Sequence, residues 1–205
     1  MPLDLPALLG RVYYRYPSYL VDVITEHESG RRLVAVKNVT VGEDFFQGHF
    51  PGSPLMPAVL MIEALTQVAA VLVLDRTGAP LTARASLRGV DGAKFRRSVV
   101  PGDRLRLEVV MGRARSRLAR VQATAYVDDQ VVVEAELLLA VEAGAASVDP
   151  TAHVDPAAQI GEGTVIGPHA MIGPEVRIGK HCRIGASAVI DGAAVCSQVR
   201  YGTGW

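Results

Sequence analysis

The sequence predicts two architectures in one chain: an α+β unit in which an antiparallel sheet wraps one long helix, then a short parallel β-helix. Three observations carry this. A single stretch, residues 57–74, is long and almost wholly apolar. Several strand-like runs flank it, separated by turn signals. Past residue 143 an aliphatic residue recurs every six positions, the signature of stacked hexapeptide coils. The boundary falls at the small-residue stretch VEAGAASVDP, which gives units 1–143 and 144–205.

The apolar stretch is a helix. It has 18 residues, and only Glu63, Thr66 and Gln67 are polar. Pro57 suits the start of a helix, where no backbone N–H is needed. The length is just enough to span a bilayer, but a carboxylate near its centre costs roughly 2.5–3.5 kcal/mol in lipid. The reading is a buried helix, not a membrane span. Strands are expected at 19–25 and 33–41 around the turn HESGR, and at 85–90, 105–113, 119–127 and 131–141. The last two are joined by an Asp128-Asp129 turn. One apolar helix with several long strands forms two layers around one core.

The repeat runs Val148, Val154, Ile160, Ile166, Ile172, Ile178, Ile184, Ile190 and Cys196, with a small residue four positions after most of them. Nine such hexads make about three triangular coils. Gly161, Gly167, Gly173, Gly179 and Gly185 follow the aliphatic residues and are expected at tight turns. The register is expected to end at Arg200.

Composition narrows the function. Twenty-one basic and 21 acidic residues give zero net charge, so no global field draws the chain to nucleic acid or an anionic membrane. Two cysteines, Cys182 and Cys196, suit a reducing cytosol. The N-terminal residues lack a basic start followed by an apolar run, so no signal peptide is expected. A cytoplasmic location follows, and no metal site is expected because no ligand cluster has suitable spacing.

Chemistry concentrates in GHFPGSPLMPAVLMIEALTQ, residues 48–67. Glu63 has Leu60, Ile62, Ala64 and Leu65 around it, and an unpartnered carboxylate there costs several kcal/mol. Either it reaches the surface through a gap in the apolar face, or it is kept in a cavity for function. Gln67, one turn on, can orient it. His49 sits in a loop stiffened by Pro51, Gly52 and Pro54, and imidazole suits acid–base work near neutral pH. The first-turn amides, at Ala58 and Val59, have no intrahelical partner and can hold a carbonyl oxygen that gains charge. Loop base, helix-end amides and in-helix acid together imply proton removal next to a carbonyl. Arg96 and Arg97, and Arg113, Arg115, Arg117 and Arg120, form two basic clusters. They are either solvated strand faces or a dock for an acidic partner.

These residues also carry a resemblance. Residues 48–67, with RYPSYLVD at 15–22, VAVKNVT at 34–40, EDFFQGHFPG at 43–52 and KFRRSVVPGDRL at 94–105, closely resemble the FabZ-type 3-hydroxyacyl-acyl carrier protein dehydratases over residues 10–142. The resemblance implies the hot-dog fold and a dimer whose histidine and acid come from different subunits, with trimers of dimers in many relatives. It implies dehydration of (3R)-3-hydroxyacyl carrier protein, the substrate being presented on the carrier's phosphopantetheine arm and no cofactor being bound. In it His49 takes a proton from C2, Glu63 acts on the C3 hydroxyl, and the Ala58 amide binds the thioester carbonyl, with Gly52 and Pro57 in support. The chain departs at Ala58, where the family usually has Gly; a positive φ there would strain alanine. Residues 148–199 resemble the N-terminal coils of LpxA-type UDP-N-acetylglucosamine acyltransferases, which gives a left-handed β-helix and a link to lipid A synthesis. That resemblance stops before the family's catalytic histidine, so His153, His169 and His181 are read as surface residues. Two other readings remain: a hot-dog acyl thioesterase, and a non-catalytic carrier-binding assembly module.

Overall fold

A computed structural model describes residues 18–77, 83–115, 117–142, 144, 146–180, 182–192, 194–195 and 200–201. Contacts divide the chain into two compact units, the first reaching Glu142 and the second made chiefly of the residues after it. The N-terminal segment before Ser18, His181 and Cys196 lie outside the described residues.

In the first unit β1 (Val23–Glu28), β2 (Arg32–Asn38), α1 (Ala58–Thr77), β3 (Arg84–Phe95), β4 (Arg104–Arg115), β5 (Leu118–Val127) and β6 (Gln130–Glu142) follow in order. A 3-10 turn, Asp44–Gln47, precedes α1. The six strands form one antiparallel sheet in the order β1-β2-β4-β5-β6-β3. This is a hot-dog fold: α1 packs on β2, β3, β4, β5 and β6. The sheet supplies Leu105, Leu107 and Val109 from β4, Val121, Ala123 and Ala125 from β5, and Leu137 and Leu139 from β6. Their alternation with less buried residues is the period of a strand with one face on a core. The helix answers with an unbroken buried run, Ala64–Leu74. By length and composition it could cross a membrane, yet 67% of its apolar window is buried inside the unit.

Several expected boundaries move. The first strand begins at Val23 rather than 19, although Leu20 and Val21 are buried beside it. The helix begins at Ala58, one residue after Pro57, and runs to Thr77. β3 continues to Phe95, well past 90, through register shifts between Leu87 and Gly89 and between Asp91 and Lys94. Asp-Gly reads as a turn in sequence, but Gly92 at φ +62° is absorbed as a bulge. Asp128 and Asp129, at φ +48° and +60°, make the tight turn expected between β5 and β6.

At the far end of α1, Asp75 Oδ2 accepts bonds from His27 Nε2 at 3.1 Å, Ser29 Oγ at 2.9 Å and the Gly30 amide at 3.0 Å. This ties the helix to the β1–β2 turn. Burial pushes the carboxyl pKa up, and the three hydrogen bonds outweigh it, leaving it below the usual 3.8.

Among its described residues the second unit has ten two-residue strands, β7 (Ser147–Val148) to β16 (Arg200–Tyr201). They pair in parallel, mostly with the strand 18 residues on, as Val165 with Arg183 and Met171 with Val189. Three sheets result, the three sides of a coil of three hexads. Ile166, Ile172, Ile178 and Ile184 stack inward with Ala170, Val176 and Cys182. Two expectations need correction. Gly161 is not at a left-handed corner; a Cβ there would come within 2.5 Å of the Gly179 backbone, so glycine permits the close approach of coils. Among the described residues the left-handed positions of this unit are Gly163, His169, Ser187 and Gly192. The register also breaks earlier than Arg200. Val195, not Cys196, stands beside Ile178, and Ala194 stands beside Arg177, because the hexad after Val189-Ile190 is one residue short. The six-residue step then resumes at Arg200.

Thr164 is fully buried, donates to the Gly179 carbonyl at 2.8 Å and accepts the Cys182 amide at 3.0 Å. Thr164→Val keeps the shape and strands both backbone groups. It should cost about 1–3 kcal/mol of β-helix stability, read by chemical denaturation of the full chain. Asp75 gives a second expectation. A depressed carboxyl pKa stabilises the fold above the unfolded value, and that stabilisation is lost as the pH falls through the folded one. The stability gap between wild type and Asp75→Asn should therefore shrink on going from pH 6 to about pH 3, measured by urea titration at each pH.

Candidate active site

The loop between the 3-10 turn and α1 is held by its own backbone. The His49 amide donates to the Phe45 carbonyl at 3.1 Å, and the Leu55 amide donates to the His49 carbonyl at 2.9 Å. Phe50 and Ser53 exchange bonds of 3.3 and 2.9 Å across a turn that places Gly52 at φ +80°, a region where a side chain is disfavoured. The Met56 amide then reaches the Val99 carbonyl at 2.8 Å, which anchors the end of the loop.

This frame orients the imidazole. His49 Nδ1 lies 2.9 Å from the Leu55 carbonyl oxygen. A carbonyl only accepts, so Nδ1 carries the proton and the neutral ring keeps its lone pair on Nε2. The ring stacks on Phe50 with centroids 4.1 Å apart and is half-buried. The arrangement presents Nε2 as a base.

Ala58 is the first residue of α1, and it is not among the positive-φ residues. The strain considered for alanine at this position is therefore absent. The Ala58 and Val59 amides lie in the first turn, without a carbonyl one turn earlier in the helix, and Val59 is 71% exposed.

One turn on, Glu63 is half-buried and lines a cavity of about 670 Å³ with Ser18, Tyr19, Leu20, Phe45 and Leu60. Gln67, 1% exposed, sits behind it. Its Nε2 donates to Glu63 Oε1 at 3.0 Å and to the Ser18 carbonyl at 2.8 Å, and its Oε1 accepts the Leu20 amide at 3.0 Å. A single buried amide thus spans helix and entry segment with every polar atom used. The cavity-wall residues Tyr19, Glu43 and Phe45 were not singled out from the sequence, since nothing in their spacing ties them to residue 63.

No hydrogen bond joins His49 and Glu63 among the described residues, and His49 does not line the cavity at Glu63.

A model of the FabA-like domain matches residues 15–136, and one of the bacterial transferase hexapeptide, six repeats, matches residues 146–192. Curated relatives match closely. The 3-hydroxyacyl-[acyl-carrier-protein] dehydratase FabZ of Desulforamulus reducens is 48% identical over 140 residues, covering 68% of this chain and 97% of the relative. The chain belongs to the FabZ family. FabZ of Bordetella petrii is 43% identical over 148 residues, covering 70% of this chain and 98% of the relative. The FabZ matches span the first unit and leave the repeat as an addition. Among solved structures, the dehydratase heterocomplex ApeI:P of Xenorhabdus doucetiae aligns with a TM-score of 0.53 at 13% identity, over 68% of this chain and 90% of that one. An uncharacterised Pyrococcus horikoshii protein aligns at 0.51 and 15%, over 69% and 95%. At these identities the likeness concerns the fold.

The two basic clusters part company on this FabZ-family scaffold. Arg96 pairs with Glu134 at 2.6 Å and Arg97 with Asp103 at 3.5 Å, past the end of β3. Arg113 and Arg115 lie at the other end of the sheet, where β4 turns into β5, exposed and without ion pairs among the described residues. Arg117 is exposed beside them, while Arg120 is held by Asp91 and Glu136. In the repeat unit His153 and His169 are exposed, as expected.

The tautomer is open to direct measurement. In ¹⁵N-edited spectra at pH 8, His49 should show a protonated Nδ1 and a bare Nε2, and exchange of the Nδ1 proton should be slowed. A bare Nδ1 would contradict the loop geometry.

Proposed function

We propose that the chain dehydrates (3R)-3-hydroxyacyl groups on acyl carrier protein to the trans-2-enoyl form, at a site shared by two chains. The observation that carries this is a fixed imidazole with Nε2 as its base, not hydrogen-bonded to the carboxylate of Glu63, which lines a cavity that His49 does not line. Each is half of an acid–base pair, and a second copy supplies the missing half. The open edge of β3, with Leu87, Val90 and Phe95 partly exposed, offers strand pairing for that copy. A dimer is sufficient for this chemistry.

In the reaction His49 Nε2 takes a proton from C2. That C–H electron pair becomes the C2=C3 double bond, and the C3–O bond breaks. The hydroxyl leaves as water with a proton from Glu63 of the partner subunit. The first-turn amides of Ala58 and Val59 hold the thioester oxygen as charge builds on it. His49 ends protonated and Glu63 ionised, and solvent returns the proton between turnovers. Gln67 keeps Glu63 facing the cavity. The substrate arrives on the carrier's phosphopantetheine arm, so no bound cofactor is invoked. Exposed Arg113 and Arg115 are candidates to steer the acidic carrier; the paired Arg96 and Arg97 are weaker ones.

His49→Ala and Glu63→Gln should each lower turnover by roughly 10²–10⁴-fold with the fold intact, read by enoyl absorbance. Mixing the two variants, unfolded and refolded together, should restore about a quarter of wild-type activity, because half the dimers are mixed and each mixed dimer has one intact site. Full activity in either variant sinks the assignment, and an inactive mixture sinks the two-chain site.

A further inference from the structure

Among the described residues Lys37 is a buried charge that this mechanism leaves unused. It lies on β2 beyond Leu33, Val34, Ala35 and Val36, and is only 3% exposed. An ammonium group at such depth is costly unless it is paired. Its partner is Glu43, whose Oε1 lies 2.5 Å from Lys37 Nζ. Glu43 stands immediately before the 3-10 turn Asp44–Gln47.

The turn has two working ends. Glu43 and Phe45 wall the cavity beside Glu63. The carbonyl of the same Phe45 receives the amide of His49 at 3.1 Å. Glu43 also governs the turn through its backbone, donating to Thr40 and accepting from Phe46 at 3.0 Å. Phe46 itself is buried. A shift of the turn therefore moves a cavity wall and the base together.

We propose that the Lys37–Glu43 ion pair is a positioning device serving two active sites at once: through one turn it sets the wall of the acyl cavity in its own chain and the placement of the His49 that works in the partner's. This rests on the two-chain site proposed above. Because the two ends serve different sites, one substitution should act differently according to which half of a site its chain supplies. An ion pair with a purely structural role would lower stability without that separation.

The test uses mixed dimers of full-length chains. In the first mixture Glu43→Gln is added to the His49→Ala chain, which then contributes only the Glu63 cavity to the intact site. KM for a long 3-hydroxyacyl carrier protein should rise several-fold, with kcat little changed. In the second mixture Glu43→Gln is added to the Glu63→Gln chain, which contributes only His49. There kcat should fall roughly tenfold or more, with KM little changed. Equal effects in both mixtures, or none in either, overturn the proposal. If the mixture without Glu43→Gln is itself inactive, the shared site fails and the proposal falls with it. Should Glu43→Gln not fold, Lys37→Met with Glu43→Gln removes the pair without leaving a buried charge alone, and the same separation is expected.

Discussion

The helix Ala58–Thr77 is buried all the way round from Ala64 to Leu74, a run that no single apolar stripe could cover, and the sheet has to curl round it. Twelve of its residues are buried, from Met61 to Leu74. Within that run the polar atoms of Gln67 are acceptable only because each finds a partner: Glu63, Ser18 or Leu20. The site depends on this. The clamp that satisfies Gln67 also holds the entry segment against the helix and turns Glu63 toward the cavity. A smaller side chain at residue 67 would leave three groups searching for partners in an apolar interior.

The histidine is placed by different means. No packed helix holds it; instead a loop exchanges bonds with itself, His49 with Leu55 and Phe50 with Ser53. Rigidity in such a loop comes from backbone pairing and from residues that restrict φ, Pro51 and Pro54 on one hand and the left-handed Gly52 on the other. The base is thus oriented locally, whereas the acid is oriented by the core. The two groups rest on separate supports.

The repeat unit follows another constraint. Coils 18 residues apart approach closely, so glycine is needed where backbone meets backbone, as at Gly161, and the interior must be filled by one aliphatic residue per hexad. A polar residue inside, Thr164, is tolerated because it bridges the Gly179 carbonyl and the Cys182 amide of the next coil.

Much of this was legible from residues alone. An unbroken apolar run behind Pro57 identified the helix, and periodicity identified most strands and the three-sided coil, because burial imposes a period of two on a strand with one covered face and of six on a coil edge. The rigid loop around His49, the odd carboxylate Glu63 and its neighbour Gln67 stood out for the same reason: each breaks a local rule. Tertiary structure decided the rest. Asp91-Gly92 looks like a turn, yet β6 holds it in register as a bulge, since pairing with a neighbour strand outweighs local preference. The one-residue slip before Ala194 appears only when coils are aligned. Arg96 and Arg113 look alike in sequence and end at opposite ends of the sheet, one in an ion pair and the other without one among the described residues. Lys37 and Glu43 are six residues apart, and nothing in that spacing reveals a buried ion pair. Sequence settles which residues break the pattern, because local patterns are set by solvent; which of them meet depends on where strands and turns place them, and that is a property of the folded chain.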